Sequence, residues 1–135
     1  MSLESTHEVM QKYWDSAHSD PGMMAEDVVF TMMATGDETH TAEGVLQMLN
    51  YFYHIAFDAK AITRNTIVAD GKAVIEADVV GKHIGEFAGI PATGKDFRVP
   101  LCVVYDLEND RIKRARIYFE LPVLLQQLGV TPATA

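Results

Sequence analysis

Asp70-Gly71 lies between two long stretches in which apolar residues tend to recur at every second position, and this combination constrains the chain more than any other feature. Asp-Gly supplies the positive φ angles that a two-residue hairpin turn requires, and period two is the signature of a half-buried strand. The pattern predicts strands over Ile62 to Ala69 and Lys72 to about Glu86. On the second of these, Ala73, Ile75, Ala77 and Val79 share one face, and Val74, Glu76, Asp78 and Val80 the other. A two-stranded hairpin is marginal alone, so more sheet must follow. Strands over Phe97 to Leu107 and Arg111 to Phe119, joined by a turn at Asn109-Asp110, continue the meander.

The first half of the chain reads differently. Ser5-Thr6-His7-Glu8 has the S-x-x-E form of a capping box, and Val9, Met10, Tyr13, Trp14 and Ala17 follow at helical spacing, predicting a helix from about 6 to 18. Asp20-Pro21-Gly22 breaks it, a strand-like run covers Val28 to Met33, and Gly36-Asp37-Glu38 is expected to turn. Thr41 is placed to cap a second helix over 42–57, with Val45, Leu46, Leu49, Phe52, Tyr53 and Ala56 on one stripe. Pro122 suits the first turn of a terminal helix, Val123 to Leu128, ended by Gly129, and the tail 131–135 is expected to fray. Helices, then a meander, then a short helix predict an α+β fold in which a curved antiparallel sheet wraps around the N-terminal helices and encloses a pocket. The whole of 1–135 is read as one domain, since 48% apolar and 22% charged residues suit a single core of this size.

Several function classes are disfavoured by simple counts. One cysteine, Cys102, excludes an internal disulfide framework and a cysteine-rich zinc site. The histidines show no H-E-x-x-H spacing, so no metal is expected. Nineteen acidic against eleven basic residues give a net charge of −8, which opposes nucleic acid and anionic membranes despite the local cluster Arg111, Lys113, Arg114 and Arg116. No basic-then-apolar leader and no apolar run of about 18 residues occur, which predicts a cytoplasmic protein. Gly89 to Lys95 has phosphate-loop spacing, but Asp96 stands where Ser or Thr is needed. A serine-nucleophile motif of the form G-x-S-x-G is absent.

Two stretches carry a more specific signal: His83-Ile84-Gly85-Glu86-Phe87-Ala88-Gly89-Ile90-Pro91-Ala92-Thr93-Gly94-Lys95, and Arg116-Ile117-Tyr118-Phe119-Glu120-Leu121-Pro122-Val123-Leu124-Leu125-Gln126-Gln127-Leu128-Gly129. Together they resemble the SnoaL-like polyketide cyclase family of the nuclear-transport-factor-2-like superfamily. The resemblance implies a cone-shaped α+β fold. It also implies a cyclase or isomerase that works on a small natural-product intermediate by carboxylate acid/base chemistry, with no metal or organic cofactor. Family members typically carry an Asp just before the terminal Leu-Leu-Gln-Gln-Leu-Gly, where this chain has Glu120, and many carry Trp where it has Arg116. The superfamily also includes epoxide hydrolases and noncatalytic binding modules, and fold alone does not separate them. A ketosteroid-isomerase-like site is disfavoured, because its base would be an Asp in the first strand, which here reads Val29-Phe30-Thr31-Met32-Met33.

Glu120 and His83 are therefore the expected catalytic pair. A carboxyl group at the mouth of an apolar cavity has its charged form disfavoured, which suits it to passing a proton near neutrality. Imidazole titrates in the same range. The alternative for Glu120 is a solvated face shared with Arg114, Arg116 and Tyr118, and for His83 a hydrogen bond that orders the adjoining loop. Tyr105, Tyr118, Arg116, Tyr13, Trp14 and Phe87 are the expected substrate contacts, while Tyr51, Tyr53, Met32 and Met48 read as core that also qualifies as pocket wall. The expected partners are a small hydrophobic or partly polar organic substrate and a second copy of the chain, since strands apolar on both faces need cover on each.

Overall fold

The computed structural model of the protein describes residues 1–16 and 21–130. The chain runs α1 (Leu3–Asp15), one 3-10 turn (Pro21–Met23), β1 (Met24–Met32), β2 (Asp37–His40), α2 (Ala42–Asn50), a π-helical segment (Tyr51–Ala56), β3 (Phe57–Ala69), β4 (Lys72–His83), β5 (Asp96–Glu108), β6 (Arg111–Phe119) and α3 (Leu121–Gln127). The strands form one curved sheet in the order β2-β1-β6-β5-β4-β3, with α1 against β3 and β4 and α2 against β1. This is the expected α+β architecture with one correction. The sheet is mixed rather than antiparallel, because β1 pairs with β6 in parallel, Phe30 opposite Ala115 and Met32 opposite Ile117. A parallel pair needs a long crossover, and everything from β2 to β5 supplies it. β2 and β3 remain as edges, so the sheet does not close into a barrel.

The first helix starts earlier than the sequence predicts. Ser2, not Ser5, is the N-cap: its hydroxyl accepts the Ser5 N–H at 3.1 Å while the Ser5 hydroxyl accepts the Ser2 N–H at 2.9 Å. That shift turns Thr6 inward. Thr6 is fully buried, donates its hydroxyl to the Ser2 carbonyl at 2.7 Å and accepts the Gly71 N–H at 3.0 Å, so the first turn of α1 anchors the hairpin turn between β3 and β4. The helix ends at Asp15, with Ser16 as its C-cap, where the expected helix continued; the rest of that expected stretch, 17–18, and the tail 131–135 lie outside the described residues. Gly36 does turn the chain, but Asp37 and Glu38 then pair with Met32 and Thr31 as β2.

The expected capping of the second helix is present, Thr41 Oγ1 accepting the Gly44 N–H at 3.1 Å. Its last six residues widen into a π-helix, a form that concentrates at functional sites. The loop after β4 is held against this segment. Ile84 and Gly85 both donate to the Ala56 carbonyl, at 3.0 and 2.9 Å, and a Cβ at Gly85 would collide with the Ile55 carbonyl oxygen.

α3 completes the sheet in an unexpected way. β6 ends at Phe119, opposite Leu101, so residues 96–100 of β5 lack a strand partner on that side. The Gln127 side chain takes its place, accepting the Arg98 N–H at 2.8 Å and donating to the Arg98 carbonyl at 2.9 Å. Gln127→Leu is expected to lower stability by roughly 1–3 kcal/mol, since both backbone groups lose their partner. Urea denaturation of the two proteins measures this.

Candidate functional site

Two helical segments do not fill the concave face of a six-stranded sheet, and a cavity of about 60 Å³ remains between them. Its floor follows from period two. β4 presents Ile75, Ala77 and Val79, β5 presents Leu101, Val103 and Tyr105, and β6 presents Ile117 and Phe119. The register makes these one face: Tyr105 lies opposite Ala115, Val103 opposite Ile117 and Leu101 opposite Phe119. Ala61 and Ala77, small side chains on neighbouring strands, leave the space that larger residues would occupy. The helices supply the roof, Tyr13 from α1, Met48 and Leu49 from α2, and the consecutive Phe52 and Tyr53 from the π-helical segment.

The wall is apolar except for three phenols. Tyr13 meets Tyr105 edge-on at 5.9 Å between ring centroids, and Trp14 and Phe30 meet Tyr105 in the same manner at 6.1 and 6.4 Å. Phe52 packs on Tyr53 at 5.2 Å and on Phe119 at 5.5 Å. Burial pushes the Tyr53 phenol up to about 12. Burial also raises Tyr105, reinforced by Tyr53 and Cys102 against the opposing pull of Trp14, and it raises Tyr13 well above the usual phenol range, with Tyr105 and Tyr53 adding to it. All three are therefore neutral hydroxyls near neutral pH, able to donate to an oxygen atom in the cavity. Among the described residues, no carboxylate lines this space.

Of the residues singled out from sequence, Tyr13 and Tyr105 line the cavity and Trp14 touches Tyr105 beside it. Phe87 lies behind the wall, packed on Phe57 at 4.9 Å and Phe52 at 6.0 Å. His83 is fully buried beneath Phe57, and its Nδ1 accepts the Thr93 N–H at 3.2 Å, 3.0 Å from the Thr93 hydroxyl. That arrangement orders the loop. It leaves the ring proton on Nε2, which is buried and has no hydrogen-bond partner among the described residues.

Glu120, Tyr118 and Arg116 lie off the cavity, a correction that strand alternation explains. Ala115, Ile117 and Phe119 are the buried residues of β6, so their neighbours face outward. Arg116 is bonded to Asp106 at 2.6 Å, and Asp106 also takes Lys72 at 2.7 Å. The Arg116 hydrogen bond is the main cause holding the Asp106 carboxyl below its ordinary range. Six residues further along β4, at the other end of the same outer face, Asp78 is clasped by Arg98 at 2.6 Å and Arg64 at 3.1 Å. Glu120 and Tyr118 border a shallow outer depression near Asp78, not the apolar interior. Tyr53, Met32 and Met48 do line the interior, Met32 from β1 beside Ile117 and the other two from the helical roof above Ala61 and Ala77. Among the described residues there is no cluster of three or more His, Cys, Asp or Glu side chains placed to hold a metal ion. No described helix is long and apolar enough to cross a membrane.

Ionisation of the phenols gives this site an alkaline signature. Above the ordinary phenol value of 10.0 the unfolded chain loses protons that folded Tyr53 keeps to about 12, so their contribution to stability is intact below about 10 and is lost as pH rises towards 12. Thermal denaturation across that range should show a fall in Tm that is shallower for Tyr53→Phe and Tyr105→Phe than for the parent.

The family model described as SnoaL-like polyketide cyclase matches residues 6–128. Among solved structures, one assigned as a SnoaL-like polyketide cyclase, from Jannaschia sp. CCS1, superposes with a TM-score of 0.84 at 16% identity, covering 96% of this chain and 94% of that one. TsrD from Streptomyces laurentii gives a TM-score of 0.79 at 20% identity over 97% and 99% of the two chains. A protein with a ketosteroid isomerase-like fold from Catenulispora acidiphila, in complex with trimethylamine, gives 0.75 at 18% identity over 96% and 98%. No curated protein sequence matches this chain.

Proposed function

Because the chain belongs to the SnoaL-like polyketide cyclase family, we propose that it is a cyclase or isomerase that acts on a small polyketide- or terpenoid-like intermediate inside the apolar cavity, without metal or organic cofactor. The observation that carries this reading is the set of three phenols, Tyr13, Tyr53 and Tyr105, kept protonated in an otherwise apolar wall. A phenol donates to a carbonyl oxygen and stabilises the negative charge that grows there as an internal hydroxyl attacks the carbon; the proton leaving that hydroxyl replaces the one the phenol delivers to the new alkoxide, so the wall supplies no separate base. Low local polarity strengthens that donation. On this reading the hydroxyls, rather than Glu120, perform the acid role, while His83 and Gln127 hold the frame. The cavity of about 60 Å³ is smaller than one of about 150 Å³ that admits benzene, so a multi-ring ligand displaces lining side chains. Met32 and Met48, unbranched and easily repacked, are the ones suited to move.

A noncatalytic binding module is the second reading, favoured by the lack of a carboxylate among the described lining residues. An epoxide hydrolase fits less well, since activating a water calls for a charged or basic group beside it. Incubating the protein with the intermediate accumulated by a deletion strain separates these readings. Tyr105→Phe is expected to lower kcat by about 10²-fold with binding kept, and Glu120→Gln to change it little. Collapse in Glu120→Gln with full turnover in Tyr105→Phe would return the acid/base role to the carboxylate. Tight binding without conversion by the parent protein would establish the binding module, and a product one water heavier than its substrate the hydrolase.

We also propose that the chain is a homodimer through the outer sheet face, where half-buried Val74, Val80, Cys102 and Val104 alternate with the Arg and Asp pairs. Light scattering at micromolar concentration should report twice the 15.0 kDa protomer mass. A mass of 15.0 kDa would refute the dimer and leave the cavity reading untouched.

A further inference from the structure

The phenol cavity has room for less than one ring, yet it does not stand alone. Tyr53, Ala61 and Ile75 line it and also line a second hollow of about 170 Å³ beneath the edge strand β3. The pairing of β3 with β4 decides which side chains face that hollow. Ala59, Ala61 and Thr63 lie opposite Gly81, Val79 and Ala77 on the inner face, whereas Lys60 lies opposite Val80 and points outward. Thr63 and His54, which also line the hollow, are exposed, so it opens to solvent, while Tyr13 and Tyr105 of the inner cavity are buried.

Size and chemistry divide the two spaces. A cavity of about 60 Å³ is too small for a ring and leaves room for a carbonyl group and its immediate neighbours, whereas the hollow of about 170 Å³ matches the roughly 150 Å³ that admits benzene. Among the described residues lining the hollow there is no Asp or Glu, and its lysine points away, so an ionic group placed there gains no ion pair. The Trp14 indole N–H is engaged by the Tyr105 hydroxyl, and the Trp14 ring stands edge-on to Tyr105 at 6.1 Å, so this wall asks nothing polar of a neighbour. Only the inner cavity adds a set of neutral phenols directed at an oxygen atom.

We infer that the ligand is divided between the two spaces, with a carbonyl group beside the phenols and a flat apolar ring in the hollow, joined across the waist formed by Tyr53, Ala61 and Ile75. The inference rests on the cavity being the ligand site and adds to it the ligand class, a ketone that bears a ring beyond a short linker. It also assigns Thr63 as the residue that limits ligand size at the solvent end. An aromatic ring suits this wall best, since Trp14 and Tyr53 offer it stacking or edge contacts.

Titration of protein carrying carbon-13-labelled tyrosine with 2-butanone and with 4-phenyl-2-butanone compares the same carbonyl end with and without the ring. The phenyl ketone is expected to bind about tenfold more tightly, and both are expected to shift the buried phenols. Thr63→Phe fills the hollow from an exposed position and should bring the two affinities together while leaving that of 2-butanone unchanged. Thr63→Leu, a smaller intrusion, should narrow the gap in the same way. Equal affinities in the parent protein, or an advantage that survives both substitutions, would overturn the subsite and leave the cavity reading intact. Loss of both ketones in Thr63→Phe, with an unchanged melting curve, would overturn the division of the ligand between two spaces. Failure of either ketone to shift Tyr13, Tyr53 or Tyr105 in the parent protein would overturn the subsite and the cavity reading together.

Discussion

The unbroken antiparallel pairing of β4 with β5, from Lys72 opposite Asp106 to Lys82 opposite Asp96, decides on which side of the sheet each chemistry-bearing residue lies. Period two admits no compromise: a residue one position away from an inner-face neighbour is on the outer face. Ala77 and Tyr105 face the helices, so Asp78 and Asp106 cannot, and the pairing of β5 with β6 carries the same rule to Ile117 and Tyr118. The apolar cavity and the ionic outer surface are two consequences of one register. Each Val or Ile buried on the inner face contributes roughly 1.5–3 kcal/mol, so slipping by a residue would forfeit many such contributions at once.

The same constraint explains what the family resemblance reports. His83, Gly85, Phe87 and Thr93 close the loop after β4 onto the π-helical segment, and Gln127 substitutes for a missing strand beside Arg98. These residues maintain the frame that positions Phe52 and Tyr53 over the sheet. The polar groups that reach the cavity come largely from elsewhere: Tyr13 and Tyr53 lie on the helices of the first half, and Tyr105 in a strand between the two matching stretches. A motif can thus identify the fold through its supports while the reactive groups lie outside it.

Much of the architecture was legible because it rests on local signals. The Asp70-Gly71 hairpin, the Thr41 cap, the strand Arg111–Phe119 and the helix-stopping Gly129 are each set by neighbours in sequence. Elements set by distant partners were less legible. Met24 begins β1 four residues early because it pairs with Ile112, and Phe57 begins β3 five residues early because it pairs with His83. Parallel pairing of β1 with β6 joins segments about 85 residues apart, which no local pattern encodes. For the site, Tyr13 and Tyr105 followed from periodicity. Glu120, Arg116 and Tyr118 did not, because the motif suggested a role that the alternation of Ala115, Ile117 and Phe119 assigns to the opposite face.

The central claim is that ligand chemistry takes place against the phenols of the inner face. The five tyrosines divide cleanly between the alternatives, since Tyr13, Tyr53 and Tyr105 line the cavity whereas Tyr51 and Tyr118 are exposed outside it. Protein labelled with carbon-13 at the tyrosine ring carbon bearing oxygen reports each hydroxyl separately by nuclear magnetic resonance. On titration with a cyclic ketone, the account predicts shifts at Tyr13, Tyr53 and Tyr105 and none at Tyr51 or Tyr118. Shifts confined to Tyr118, with the three buried phenols unmoved, would contradict it and place the site on the outer face beside Glu120.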